Sequence, residues 1–342
     1  MRAVVINCSS TPTHICYNLG ARKLSDWLKE QGYQVAYYDG DPGIWEPDAD
    51  LICLSVIFSW HAPLARAIAL RMKERAKVWC GGPGMFALAA WWRQETGLEI
   101  VRGLDPRFER QRGQYQMTFA SRGCPVNCSF CIVPRLEGTS FTFDPDFNLA
   151  PILCDNNLSA LPVEYQQHII RRYQQAGLRV EANSGFEPRT FDEATRERWK
   201  PVLRGPWRFA FDELLGARGK QEAEGVRRMM TILKDVPARR KRVYCLVGNE
   251  PIEVCYERAR KIIEWGGEPH CQFVLPLNWL GDPARVKLRF DWQSYQQGKD
   301  FCRYFNTWGW RSYPLWEYCP RINEPCPFAH LQPRFIGNAV SG

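Results

Sequence analysis

The feature that most restricts how this chain can fold is a regular alternation of wholly apolar runs with amphipathic stretches. Val4-Val5-Ile6 precedes a segment over 21–30 in which Leu24, Trp27 and Leu28 recur at helical spacing. Gln34-Val35-Ala36-Tyr37-Tyr38 comes next, then the continuous apolar run over 51–58. A second helical stretch over 62–75 leads to Val78-Trp79-Cys80 and the turn Gly81-Gly82-Pro83-Gly84. Strands that are apolar on both faces and separated by helices require a parallel sheet covered on both sides. The fold class is therefore α/β, opening with a flavodoxin-like or Rossmann unit whose ligands would lie beyond the carboxyl ends of the strands.

A second series begins at Met117. Short apolar segments over 117–120, 152–154, 179–182, 208–211, 242–247 and 272–275 each run into polar or glycine-containing loops, with helical stretches at 164–175 and 222–234. Repeats of this kind place the polar residues that follow each strand at the carboxyl ends of a parallel sheet. The expected organisation is a first domain over 1–103, a linker over 104–116, a core over 117–282 and an aromatic-rich extension over 283–342.

Length and composition fit this plan. The 342 residues suffice for two cores, and 45% hydrophobic with 24% charged residues is ordinary for a soluble protein. No run approaches membrane-spanning length, and the apolar run near the N-terminus is too short for a signal-peptide core. Fourteen cysteines argue for reduced thiols and metal ligation rather than a disulfide framework, and hence for the cytoplasm. The net charge of +8 comes from scattered basic residues. A small-molecule or peptide substrate is thus expected ahead of nucleic acid.

Three of those cysteines fall within Cys124-Pro125-Val126-Asn127-Cys128-Ser129-Phe130-Cys131. Thiolates at this spacing on one loop can converge on a single inorganic centre, and a cubane cluster normally takes four. A loop that supplies three leaves one iron open, as a catalytic metal requires. The competing reading is a structural zinc in a nucleic-acid-binding protein, but zinc sites usually pair C-x2-C units and no second pair exists.

Arg122-Gly123 followed by this loop, with an aromatic before the third cysteine, resembles the signature of radical S-adenosylmethionine (radical SAM) enzymes. The resemblance implies a partial (β/α)6 TIM-barrel core and a 4Fe-4S cluster held by Cys124, Cys128 and Cys131. It implies S-adenosyl-L-methionine on the open iron, and reductive cleavage to a 5′-deoxyadenosyl radical that abstracts hydrogen from a substrate. An external electron donor of flavodoxin or ferredoxin type would supply the electron. Phe130 would lie against the adenine. Asp155, Asn156 and Asn157, at the end of the second core strand, would meet the amine. Asn183 and Ser184 would meet the ribose or carboxylate, Asp212 and Glu213 a ribose hydroxyl or a substrate donor. Gly248 suits a close backbone approach to the adenine edge. Each of these polar residues has a rival role in capping the next helix.

Cys53-Leu54-Ser55-Val56 and Trp79-Cys80-Gly81-Gly82-Pro83-Gly84 resemble cobalamin-binding domains that precede many radical SAM cores. Residues 55–60 and 81–84 would then contact a corrin, and the reaction would be a cobalamin-dependent methyl transfer. The axial-histidine motif is absent, since no aspartate stands two places before His14. In the tail, Cys302, Cys319 and Cys326 offer ligands for a second cluster, and Trp308, Trp310, Tyr313 and Trp316 a cover for the open side of the barrel.

Overall fold

The computed structural model describes residues 1–11, 14–43 and 48–332. Pro12 and Thr13, within the segment compared with an axial-histidine loop, and residues 333–342 of the extension lie outside them. By contacts the chain divides into two compact units. One comprises Met1–Phe186, Ala194–Gly205 and Leu275–Val286; the other comprises Glu187–Glu193, Pro206–Val274 and Lys287–Gly342. No helix among the described residues is long and apolar enough to cross a membrane.

The first unit opens with strands β1 (Arg2–Asn7), β2 (Gln34–Asp39), β3 (Leu51–Ser55) and β4 (Lys77–Gly81), in sheet order β2-β1-β3-β4 and all parallel. The two-residue period of a strand splits each apolar run between two buried faces. Val4, Ile6, Ile52 and Leu54 pack on Ala65, Ile68 and Ala69 of the helix Ala62–Met72, together with Trp92. On the other face, Ala3, Val5, Leu51 and Cys53 pack on Ala21 and Leu28 of the helix Leu19–Glu30. That helix starts where the Asn18 side chain accepts the Ala21 N–H at 3.0 Å. Because the chain leaves β1 to one side for β2 and to the other for β3, the crevice beyond β1 and β3 is the sheet's topological switch point.

Residues expected to be a linker are fastened to this domain. Tyr115 donates to Asp26 Oδ2 at 2.9 Å, Gln111 to Glu30 Oε2 at 2.8 Å, and Lys23 Nζ to the Glu109 carbonyl at 2.8 Å. Two strands, β5 (Met117–Thr118) and β6 (Ser121–Arg122), then lead into the cysteine loop, and β7 (Thr142–Phe143) returns antiparallel to β6. β8 (Ile152–Leu153) and β9 (Glu181–Ala182) complete a parallel sheet in order β5-β8-β9. The outer edge of β9 is occupied by the segment after the next helix: Val180 bridges Leu203, and the Arg204 N–H reaches the Val180 carbonyl at 2.8 Å.

The second unit holds β10 (Trp207–Ala210), β11 (Lys241–Val247) and β12 (Glu268–Phe273), parallel and in that order. The strands expected to form one partial barrel thus stand as two three-stranded parallel sheets, with no single six-stranded ladder among the described residues. The tail aromatics pack within the second unit. Trp316 meets Tyr256 edge-on, Tyr304, Tyr313 and Tyr318 cluster, and Trp308 remains 48% exposed.

Candidate functional site

The cysteine loop is held open at its base by contacts across the β6–β7 turn. Gly123 has φ +89°, and a Cβ there would sit 2.2 Å from the Ser140 carbonyl oxygen, so only glycine can occupy it. Glu137 anchors the loop. Its Oε2 accepts the Gly123 N–H at 3.0 Å and the Asn156 Nδ2 at 2.7 Å, and its Oε1 pairs with Arg122 at 3.2 Å. Asn156 also donates to the Gly123 carbonyl at 3.2 Å. Within the loop, the Cys124 N–H reaches Gly138 O at 3.2 Å and the Cys131 N–H reaches Cys128 O at 3.0 Å, while Asn127 takes the left-handed conformation.

All three cysteines, and Phe130 between them, are partly exposed. Burial raises the Cys131 thiol above its ordinary range. The Val133 amide, donating to its sulfur at 3.4 Å, opposes this, while the nearby Cys128 and Cys124 sulfurs reinforce it. The Cys131 sulfur therefore feels the other two electrostatically. In number and softness this donor set fits an iron–sulfur cluster. Among the described residues, however, no three Cys, His, Asp or Glu side chains are gathered closely enough to hold a metal ion. Arg122 pairs with Glu109 at 2.9 Å and with Glu137 at 3.2 Å, with its guanidinium 3.5 Å over the Phe119 ring.

The remaining candidates divide by role. Asp155 is fully buried; its carboxylate accepts the Ala120 N–H at 2.9 Å and the Ser121 hydroxyl at 2.5 Å, and burial pushes its pKa up to about 6. It ties the end of β8 to the segment entering the cysteine loop. Asn157 accepts the Ala160 N–H at 3.2 Å, a turn cap. Asn156 braces the loop as described, so this trio is committed to protein contacts. Asn183 and Ser184 are exposed at the end of β9, with the Ser184 hydroxyl donating to Cys154 O at 3.1 Å. The Asn183 side chain stays available to a ligand.

Asp212, Glu213 and Gly248 belong to the second unit. The Asp212 carboxylate accepts the Leu246 N–H at 3.2 Å, linking β10 to β11, and burial with the nearby Glu222 pushes its pKa up to about 7 against the pull of Arg258. The Glu213 N–H reaches Glu222 at 3.1 Å. Gly248 has φ +91°, and a Cβ there would meet the Phe273 ring at 2.7 Å. A neighbouring side chain accounts for this glycine without a ligand. The tail cysteines do not form a set of three: Cys319 and Cys326 are joined as a disulfide, seven residues apart in sequence. Against the expectation of reduced thiols rather than a disulfide framework, this pair is bridged, while the other twelve described cysteines are unbridged. Cys302 lies near Cys271, Cys245 and Cys255, where burial pushes its thiol well up.

A cavity of about 400 Å³ lies at the carboxyl ends of β3 and β4, beside the start of the helix Leu19–Glu30. Asn18, Ser55 and Gly81–Pro83 border it on one side, and Phe119, Arg122, Ile132, Val133 and Glu137 of the cysteine-loop region on the other. No histidine lines it. His14 is exposed and pairs through its backbone with Thr11. These residues offer cobalamin no axial base. Sequence reasoning reached the cysteines, Arg122 and Ser55 but missed Glu137 and Ser121, whose only sequence signal is their nearness to the loop. No family model matches the chain, and no curated protein matches it.

Proposed function

We propose that this protein is a radical SAM enzyme, with Cys124, Cys128 and Cys131 as ligands of a 4Fe-4S cluster. The observation that carries the reading is the loop itself. Three partly exposed thiols follow a short parallel strand and are closed by an antiparallel return, with a backbone amide directed at the Cys131 sulfur. When bound, the cluster with S-adenosyl-L-methionine would supply the one electron that cleaves the sulfonium to methionine and a 5′-deoxyadenosyl radical.

The chain's own residues do the holding. Glu137 and Asn156 fix the loop base through Gly123. Asp155 fixes its entry through Ala120 and Ser121. Phe130 would cover the adenine, and Asn183 is the polar side chain at a core strand end left open for the ribose or carboxylate. The partial (β/α)6 arrangement of the core strands belongs to the same proposal, as do an external flavodoxin- or ferredoxin-type donor and a small-molecule or peptide substrate.

Anaerobic reconstitution with iron, sulfide, dithionite and S-adenosyl-L-methionine tests the reading. Brown protein with about four irons per chain, forming 5′-deoxyadenosine that Cys128→Ala abolishes, is the expected result. Protein that stays colourless, or that binds one zinc and no sulfide, overturns it in favour of a structural metal site.

A further inference from the structure

We propose that the cavity at the carboxyl ends of β3 and β4 binds an uncharged, largely apolar compound carrying acceptor oxygens, of the ketone, quinone or ester class, in preference to anions. Its position is where open α/β sheets bind ligands. Its volume of about 400 Å³ is that of a small-molecule site. Most of its wall is apolar, from Leu54, Trp79, Phe86, Phe108, Phe119 and Ile132.

Charge at the cavity is already spoken for. Arg122 is the one cation lining it, and it is bound to Glu109 at 2.9 Å and Glu137 at 3.2 Å. Asp105, also in the wall, holds Arg107 at 2.6 Å. Three carboxylates thus line the space against one guanidinium. Lys23, behind the wall, is bound to the Glu109 carbonyl. Each lining carboxylate is thus paired, Glu137 with Arg122, Asp105 with Arg107, and Glu109 with Arg122 and with Lys23 at 3.9 Å, so a phosphate or carboxylate entering here would find no unpaired cation among the described lining residues. Nor is the amino end of the helix Leu19–Glu30 open as an anion site, since Asn18 already caps it.

The polar groups that remain are donors. Ser55 Oγ accepts from Asn18 Nδ2 at 2.9 Å, and the Tyr17 hydroxyl accepts from the Gln116 N–H at 3.1 Å. Each hydroxyl also carries a proton, and among the described residues neither proton has an assigned acceptor. Both residues line the cavity, so both can donate to a carbonyl oxygen. Asn18 cannot, because its amide protons already serve Asn7 and Ser55. Naming this ligand as the substrate rests on the function proposed above, since Ile132 and Val133 follow Cys131 directly; its binding does not rest on that function.

The test uses the full chain without iron. The probe is prodan, a neutral naphthalene ketone, with anilinonaphthalene sulfonate as its anionic counterpart. Prodan should bind one-to-one with blue-shifted emission, at least about tenfold more tightly than the sulfonate. Ser55→Ala should weaken prodan about 3–10-fold. Leu104→Trp and Val133→Trp, which fill the space from two wall segments, should each abolish binding while circular dichroism melts stay near wild type. Absence of saturable prodan binding overturns the proposal. So does equal binding of the sulfonate, displacement of prodan by adenosine monophosphate or hydroxocobalamin, or a signal that survives both filling variants. Prodan binding by protein that never assembles a cluster would remove the radical chemistry and leave this site standing; the reverse outcome would do the opposite.

Discussion

Asn156 and Glu137 meet at 2.7 Å, side chain to side chain, across 19 residues of chain. Both also bond Gly123, one at its carbonyl and one at its N–H, so the residue before the first cysteine is gripped on both sides. Replacing Asn156 with alanine removes two hydrogen bonds, one of them to a charged acceptor. The loop should loosen by about 1–2 kcal/mol. Reconstituted protein carrying Asn156→Ala should lose iron on gel filtration several times faster than wild type, while its far-ultraviolet spectrum stays unchanged. Equal retention would show that the brace is dispensable.

Gly123→Ala tests the same grip through the backbone. Its Cβ would fall 2.2 Å from the Ser140 carbonyl oxygen, and its φ of +89° disfavours any side chain. The expected cost is about 1–3 kcal/mol or more, read as a lower melting temperature and faster proteolysis between residues 123 and 141. A variant as stable and as resistant as wild type would mean that β6 and β7 can shift at little cost.

Asp155 predicts a pH dependence. Its folded-state pKa is raised from 3.8 to about 6, so the folded chain holds this proton more tightly than the unfolded chain. The stability it gives is present when protonated and is lost as pH rises from about 4 to about 6. Asp155→Asn keeps an acceptor for the Ala120 N–H and can donate to the Ser121 hydroxyl, but it cannot ionise. Melting curves across that range should show a slope in wild type that is reduced in the variant. Parallel pH profiles would place the ionisation elsewhere.

In the second unit, Arg258 is fully buried and bonds Glu250 at 2.5 Å together with the carbonyls of Asp212 and Leu246. Glu250 in turn accepts the N–H groups of Leu214 at 3.0 Å and Leu215 at 2.8 Å. Arg258→Leu leaves that carboxylate buried without its partner, at a cost of about 3–5 kcal/mol. Urea unfolding should shift its midpoint strongly. The double variant Arg258→Leu, Glu250→Gln should recover part of the loss, and no recovery would assign the cost to packing alone.

What could be read ahead of the structure follows from where the information resides. The central strands β1 and β3 are legible because both faces are buried, which forces unbroken apolar runs such as Leu51–Leu54. The start of the helix Gly216–Ile232 is not, because Gly216 and Gly219 are poor helix formers, and Gly219 is there because a Cβ would strike the Leu214 backbone at 2.3 Å. β12 begins earlier than its apolar residues suggest, since Glu268 at its first position is satisfied by Arg311 at 2.8 Å. At the site, spacing alone exposes the three cysteines. The duties of Asp155 and Asn156 depend on partners 19–35 residues away, and no local pattern records such a partnership.

The tethers from Tyr115, Gln111 and Glu109 back to the helix Leu19–Glu30 bear on how such a protein can be cut or inherited. A truncation between 103 and 104 would expose Tyr115, now 8% accessible, and would remove Asp26 and Glu30, the acceptors of Tyr115 and Gln111. The opening sheet is therefore not a detachable module. Fragments beginning at residue 104 should be insoluble, and recombination should transmit the two segments together.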